Sequence, residues 1–184
     1  MVSLEKLNAM KRIKKEFNEL RDNPIAYIGV EIDLVDEDSL FDWKFILMGP
    51  RDTPYKGGFF NLRIHFPDNY PTEKPEVCFI TPIYHVNINP IKSDESSESL
   101  GHVSINILKS WNPEYSMKEV ITHIYVLFYK GNADGSYGID RALEFENNRE
   151  LFFKKAQYFT KKYASVTRKE PDDYSKSWDF TYTP

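Results

Sequence analysis

Two successive runs of alternating apolar residues constrain this chain more than anything else in it. The first is Phe41, Trp43, Phe45 and Leu47; the second is Phe60, Leu62, Ile64 and Phe66. Successive side chains on a strand point to opposite faces, so each run puts large rings and aliphatics on one side and polar groups on the other. A third run, Ile28, Val30 and Ile32, precedes them, and a fourth, Val77–Ile80, follows. Turn chemistry separates the four: Asp36-Glu37-Asp38-Ser39, then Gly49-Pro50 through Gly57-Gly58, then Pro67 to Pro75. The spacing predicts an antiparallel meander of four strands with one face on a core.

Helical signals flank the strands. Over residues 3–22, Leu4, Leu7, Ile13, Phe17 and Leu20 read as one apolar stripe, with Lys6, Lys11, Arg12, Lys14 and Lys15 off it, and Asn23-Pro24 stops the helix. The basic residues read as a solvated face or as a docking face. A central helix is predicted over 116–129. Ser116 is its N-cap, Glu119 completes a capping box, and Val120, Ile121, Ile124, Leu127 and Phe128 form its buried face. His123 among them reads as a structural histidine. After a loop at 130–136, two C-terminal helices are expected at 139–147 and 149–164, the second with Phe152, Ala156, Phe159 and Tyr163 in register. The fold class is therefore α+β. Residues 1–164 form its core domain. Residues 165–184 lose periodicity but carry Tyr174, Trp178, Phe180 and Tyr182, an aromatic tail that either folds back or meets a partner.

The chemistry concentrates in residues 83–113. An apolar segment carries His85 and Asn87, a polar loop follows, and a short apolar strand over 103–108 leads to Trp111-Asn112-Pro113. Ser104 lies between Val103 and Ile105, so in a strand its hydroxyl faces away from them. It is either a nucleophile held on an apolar frame or a plain surface serine. A Ser-His-carboxylate hydrolase would want a Gly-x-Ser-x-Gly elbow, which is missing. Cys78, the one cysteine of 184 residues, reads as a small core hydrophobe with no polar activator beside it. A single cysteine excludes an internal disulfide framework. Residues 89–100 are rich in serine and acid and read as an inserted flexible loop, or as one that is phosphorylated or contacts a partner. A net charge of −4 argues against a nucleic-acid surface. No run is apolar enough for a membrane span, and Met1 begins no signal-peptide pattern, so a cytoplasmic or nuclear protein is expected. No metal-ligand spacing or cofactor motif is found, and none is expected.

The stretch Tyr84-His85-Val86-Asn87-Ile88, then Gly101-His102-Val103-Ser104-Ile105-Asn106-Ile107-Leu108, then Trp111-Asn112-Pro113 resembles the active-site segment of ubiquitin-conjugating enzymes. That family reads roughly [FY]-H-P-N-[IV], G-x-[IV]-C-[LI]-x-[IL]-L, then W-x-P. The resemblance reaches back through Lys11-Arg12-Ile13, Met48-Gly49-Pro50, Pro54-Tyr55-Lys56-Gly57-Gly58 and Phe66-Pro67-Asp68-Asn69-Tyr70-Pro71, and runs on to about Ala164. It implies the family's fold, and residues 89–100 become an insertion. Two departures bear on chemistry: Ser104 stands where the family has its thiol, and Val86 where it has proline.

Residue by residue, the resemblance puts Ser104 at the nucleophile position, Asn87 at the oxyanion position and His85 in a mainly structural role. Counting on from Trp111 puts Gly135 where many members carry an acid, leaving Asp134, one residue earlier, as a weak candidate. Lys11 and Arg12 match residues that meet the activating enzyme. Thr72 replaces a phenylalanine common in ligase-binding members, and Asn112-Pro113-Glu114 replaces a smaller second ligase loop. Implied partners are ubiquitin or a ubiquitin-like protein, together with an activating enzyme, a ligase or a partner conjugating enzyme. Three readings stay open: a non-catalytic variant that binds ubiquitin or a conjugating enzyme, an active conjugating enzyme whose cysteine has been replaced at 104, and a peptide-binding adaptor on the same fold.

Overall fold

The structure, a computed structural model, describes residues 2–25, 28, 31–36, 39–91, 100–165 and 178–183. Helix α1 (Leu4–Asp22) leads into four strands: β1 (Glu31–Asp36), β2 (Ser39–Met48), β3 (Phe59–His65) and β4 (Glu76–Phe79). They pair antiparallel in the order β1-β2-β3-β4. A short helix α2 (Asn106–Lys109), the central helix α3 (Met117–Leu127), a 3-10 turn (Ala133–Gly135), α4 (Ile139–Asn147) and α5 (Arg149–Tyr163) complete it. This is the expected α+β arrangement: a four-stranded antiparallel sheet with helices before and after.

The alternating runs explain the sheet. Trp43, Phe45 and Leu47 of β2 stand directly opposite Ile64, Leu62 and Phe60 of β3. All six are almost wholly buried. Helix α1 closes one end of this face, with Phe17 edge-on to Trp43 at 5.4 Å. Phe128, just past α3, packs on Tyr55 and Phe60 at 5.2 and 5.3 Å. Helix α3 starts as its sequence predicts, with the reciprocal Ser116–Glu119 capping box formed.

Two expectations about local structure need correction, and the first strand is described only in part. Its described residues run Glu31–Asp36, with Ile32 in the strand as expected, while Val30 lies outside the described residues. It is an edge strand whose position is set by pairing Ile32 with Phe45 and Leu34 with Trp43, so acids alternate with its two inward residues. Leu4 and Leu7 are not on the buried stripe of α1; they are 73% and 44% exposed. At about 100° per residue they lie roughly 180° and 120° round from Ile13, whereas Ala9, Phe17 and Leu20 stay within about 40° of it. Residues 103–108 are not a strand. His102 and Val103 make isolated bridges, and the backbone turns into α2 from Asn106.

Residues 81–90 are buried throughout without regular structure. Their backbone groups need partners, and the segment after the insertion supplies several. The N–H of Asn89 donates to His102 O at 3.0 Å, that of Gly101 to Asn89 O at 2.8 Å and that of Ser104 to Asn87 O at 2.9 Å. The inserted loop thus leaves and returns between adjacent, hydrogen-bonded residues. Residues 92–99 themselves lie outside the described part. Gly101 is required here: its φ is +79°, and a Cβ would lie 1.9 Å from Phe79 O.

Candidate functional site

Ser104 follows the Ile88–Val103 bridge and precedes α2, so bridge and helix, rather than strand alternation, aim its hydroxyl. It is 9% exposed. Gly135, in the 3-10 turn, comes up against it. A Cβ on Gly135 would lie 3.2 Å from three atoms at once: Ser104 Oγ, Asn87 Nδ2 and Lys109 Nζ. These three polar groups therefore surround the space a side chain at Gly135 would enter, and each would have to give by a few tenths of an ångström to admit one.

Asn87 spends its amide on the same loop. Its Oδ1 accepts from the Asn132 N–H at 2.8 Å, and its Nδ2 donates to Asn132 O at 2.7 Å and Gly135 O at 3.2 Å. In this arrangement the side chain holds 132–135 beside Ser104, with both amide protons engaged. The residue sits in a 1% exposed position.

His85 is engaged at both ring nitrogens. A carbonyl can only accept, so Nε2 carries the proton and donates to Leu127 O at 2.9 Å. The other nitrogen, Nδ1, accepts from the Asn87 N–H at 3.0 Å. Burial lowers its pKa to about 4, and the nearby charge of Arg141 adds to that. The imidazole is thus neutral at pH 7, with neither nitrogen left to take a proton from Ser104. Asp134 belongs to the 3-10 turn beside the site; its side chain is outside the described part.

Lys109 is the residue that sequence reasoning missed. A strand over 103–108 separates it from Ser104, whereas the turn into α2 brings its ammonium back. The signal would have been the change from apolar alternation to Asn106-Ile107-Leu108-Lys109. Cys78 is on β4, bridged to His102, with its thiol hydrogen-bonded to Glu76 at 3.7 Å. Burial, then the Glu76 charge, pushes its thiol well above the ordinary range, which disfavours a thiolate.

The other predicted contact residues fall into two groups. Lys11 is exposed on α1, whereas Arg12 is half-buried. Arg12 pairs with Glu16 through Nε and donates to Tyr115 O at 3.0 Å. Glu16 is itself buried, accepting from Tyr70 OH at 3.0 Å and from the Met117 N–H at 2.6 Å. Thr72, Asn112, Pro113 and Glu114 are exposed, on two loops tied by the Trp111 indole donating to Pro71 O at 2.8 Å. The structure therefore brings Thr72 and residues 112–114 onto joined loops and leaves Lys11 on the helix face.

Among the described residues, no group of three or more His, Cys, Asp or Glu is placed to hold a metal, and no helix is long and apolar enough to cross a membrane. Compared with known families, residues 12–160 match the family model described as ubiquitin-conjugating enzyme. The match takes in β1–β4, the Ser104 site and most of α5.

Proposed function

The chain belongs to the ubiquitin-conjugating enzyme family, and from that membership we propose that it is a non-catalytic variant that binds ubiquitin, a ubiquitin-like modifier or a conjugating enzyme and modulates transfer. The carrying observation is the environment of Ser104. Thioester exchange needs a nucleophile that ionises near neutral pH, which a thiol does and an alkyl hydroxyl does not. A serine needs a positioned base; His85 is neutral with both nitrogens bonded, and His102, two residues before Ser104, has its Nδ1 engaged with the Tyr137 hydroxyl at 2.6 Å. Asn87 is likewise committed to its loop. Exposed Thr72 and residues 112–114 leave a surface for a partner without requiring any chemistry at 104.

A second reading rests on the same cluster. The convergence of Ser104, Asn87 and Lys109 over Gly135 is a compact site that would suit a working enzyme if a cysteine stood at 104. The binding reading is tested by titrating unlabelled ubiquitin, and separately an active conjugating enzyme, into the isotope-labelled chain. Saturable shifts with either support it. Unchanged spectra with both, at millimolar partner, reject it in favour of an adaptor with other ligands.

A further inference from the structure

The C-terminal residues 178–183 lie outside the family match yet are seated on the domain. Trp178, Phe180 and Tyr182 are half-buried and alternate with exposed Asp179, Thr181 and Thr183. The Phe180 ring lies 5.4 Å from that of Tyr84 and 4.8 Å from that of Phe159; Tyr182 meets Tyr158 at 5.3 Å. The Arg141 guanidinium is 4.4 Å from the Tyr84 ring and 5.0 Å from the Phe180 ring, close enough for cation–π attraction to both. Polar contacts fix the register. The Trp178 N–H donates to Pro90 O at 3.2 Å, Lys162 Nζ to Asp179 Oδ2 at 3.3 Å, and the Tyr163 hydroxyl to Asp179 O.

A second observation connects this face to the Ser104 site. Arg141 Nη1 donates to His85 O at 3.4 Å. His85 Nδ1 accepts from the Asn87 N–H, and Asn87 O accepts from the Ser104 N–H. Phe180, Arg141, His85, Asn87 and Ser104 are thus joined by direct contacts, and Trp178 is bonded to the residue where the inserted loop departs.

We propose that the face formed by Tyr84, Arg141, Tyr158, Phe159 and Tyr163 is a docking groove for a segment with aromatic residues at alternate positions and an acid after the first. The chain's own residues 178–183 occupy it in cis, and their occupancy keeps the His85–Asn87 segment in the arrangement described. The alternation gives three rings to the groove while the intervening side chains face solvent, and Asp179 meets the Lys162 ammonium. Loss of the segment uncovers the Tyr84 and Phe159 rings and takes one of the two aromatic partners from Arg141, whose guanidinium donates to His85 O.

Residue-resolved hydrogen exchange on the full chain tests this. In Phe180→Ala, the Asn87 and Ser104 amides are expected to exchange at least about tenfold faster, with the β2 and β3 amides unchanged. A peptide spanning Trp178–Pro184, added in trans, restores protection; the same peptide with Phe180→Ala does not. Asp179→Lys removes no ring and opposes Lys162, so it gives the same local effect, smaller in size. If Phe180→Ala loosens the whole sheet, Asp179→Lys decides. Unchanged exchange at Asn87 and Ser104 in a folded variant overturns the proposal, as does a rise that the wild-type peptide leaves unreversed.

Discussion

At the scale of single residues, His85 shows how burial decides protonation. Its folded pKa of about 4 is below the ordinary 6.5, so between those values the unfolded chain binds the extra proton and the folded one does not. Stability is therefore full above pH 6.5, falls as pH drops to about 4, and levels off below. The fall amounts to about 3 kcal/mol from this residue. Urea unfolding at pH 7 and pH 4.5 should show a smaller loss in His85→Gln than in the unsubstituted chain; equal losses would place the histidine elsewhere than in a buried, neutral state. Gly135 makes a second prediction. A Cβ there would press on Ser104 Oγ, Asn87 Nδ2 and Lys109 Nζ at 3.2 Å, but the lysine tip can swing aside, and a carboxylate gives it a partner. Placed on a Ser104→Cys background charged with ubiquitin, Gly135→Asp should therefore fold and speed discharge to free lysine. A positioning or acid–base group is worth about 10²–10⁴ in rate, so even a partial contribution is measurable. A discharge rate unchanged by the acid would mean that position 135 does not face the incoming amine.

At the scale of elements, what could be read from the sequence was what is encoded locally. The alternation in β2 and β3, the Ser116–Glu119 box and the Phe152-Ala156-Phe159 register each depend on residues a few positions apart, and each is found where expected. Helix α2 was not legible, because four residues carry no periodicity and Val103-Ile105-Ile107 imitates a strand. The edge strand β1 carries Ile32 as expected, but its continuation to Asp36 was not legible, because that stretch is held by pairing to β2 and not by its own apolar content. Glu16 was the least visible: an acid on a lysine-rich helix reads as solvated, yet it is buried beneath Tyr70, Met117 and Arg12. That network fastens α1 to the start of α3. Glu16→Ala leaves the Met117 N–H and the Tyr70 hydroxyl buried without their acceptor, and should cost about 3 kcal/mol. A loss below about 1 kcal/mol in chemical denaturation would show that the network does not hold the two helices together.

At the scale of the whole molecule, the sheet, the buried 81–90 segment and the cross-bonds from Asn89, Gly101 and Ser104 form one frame around Ser104, and the proposed function is that this frame is kept without its chemistry. The identity of position 104 was legible from the motif. A structural role for His85 was implied there too, but its partner Leu127 and the Asn87 partners Asn132 and Gly135 were not legible, because they lie more than forty residues further on. The proposed function requires that Ser104 not accept the modifier. Intact-mass measurement after incubation with activating enzyme, ATP and ubiquitin decides this, with the chain carrying Ser104 and Ser104→Cys side by side. No adduct is expected on the Ser104 chain, and on Ser104→Cys a single ubiquitin released by reductant. A ubiquitin ester on Ser104, stable to reductant and cleaved by mild base, would overturn it.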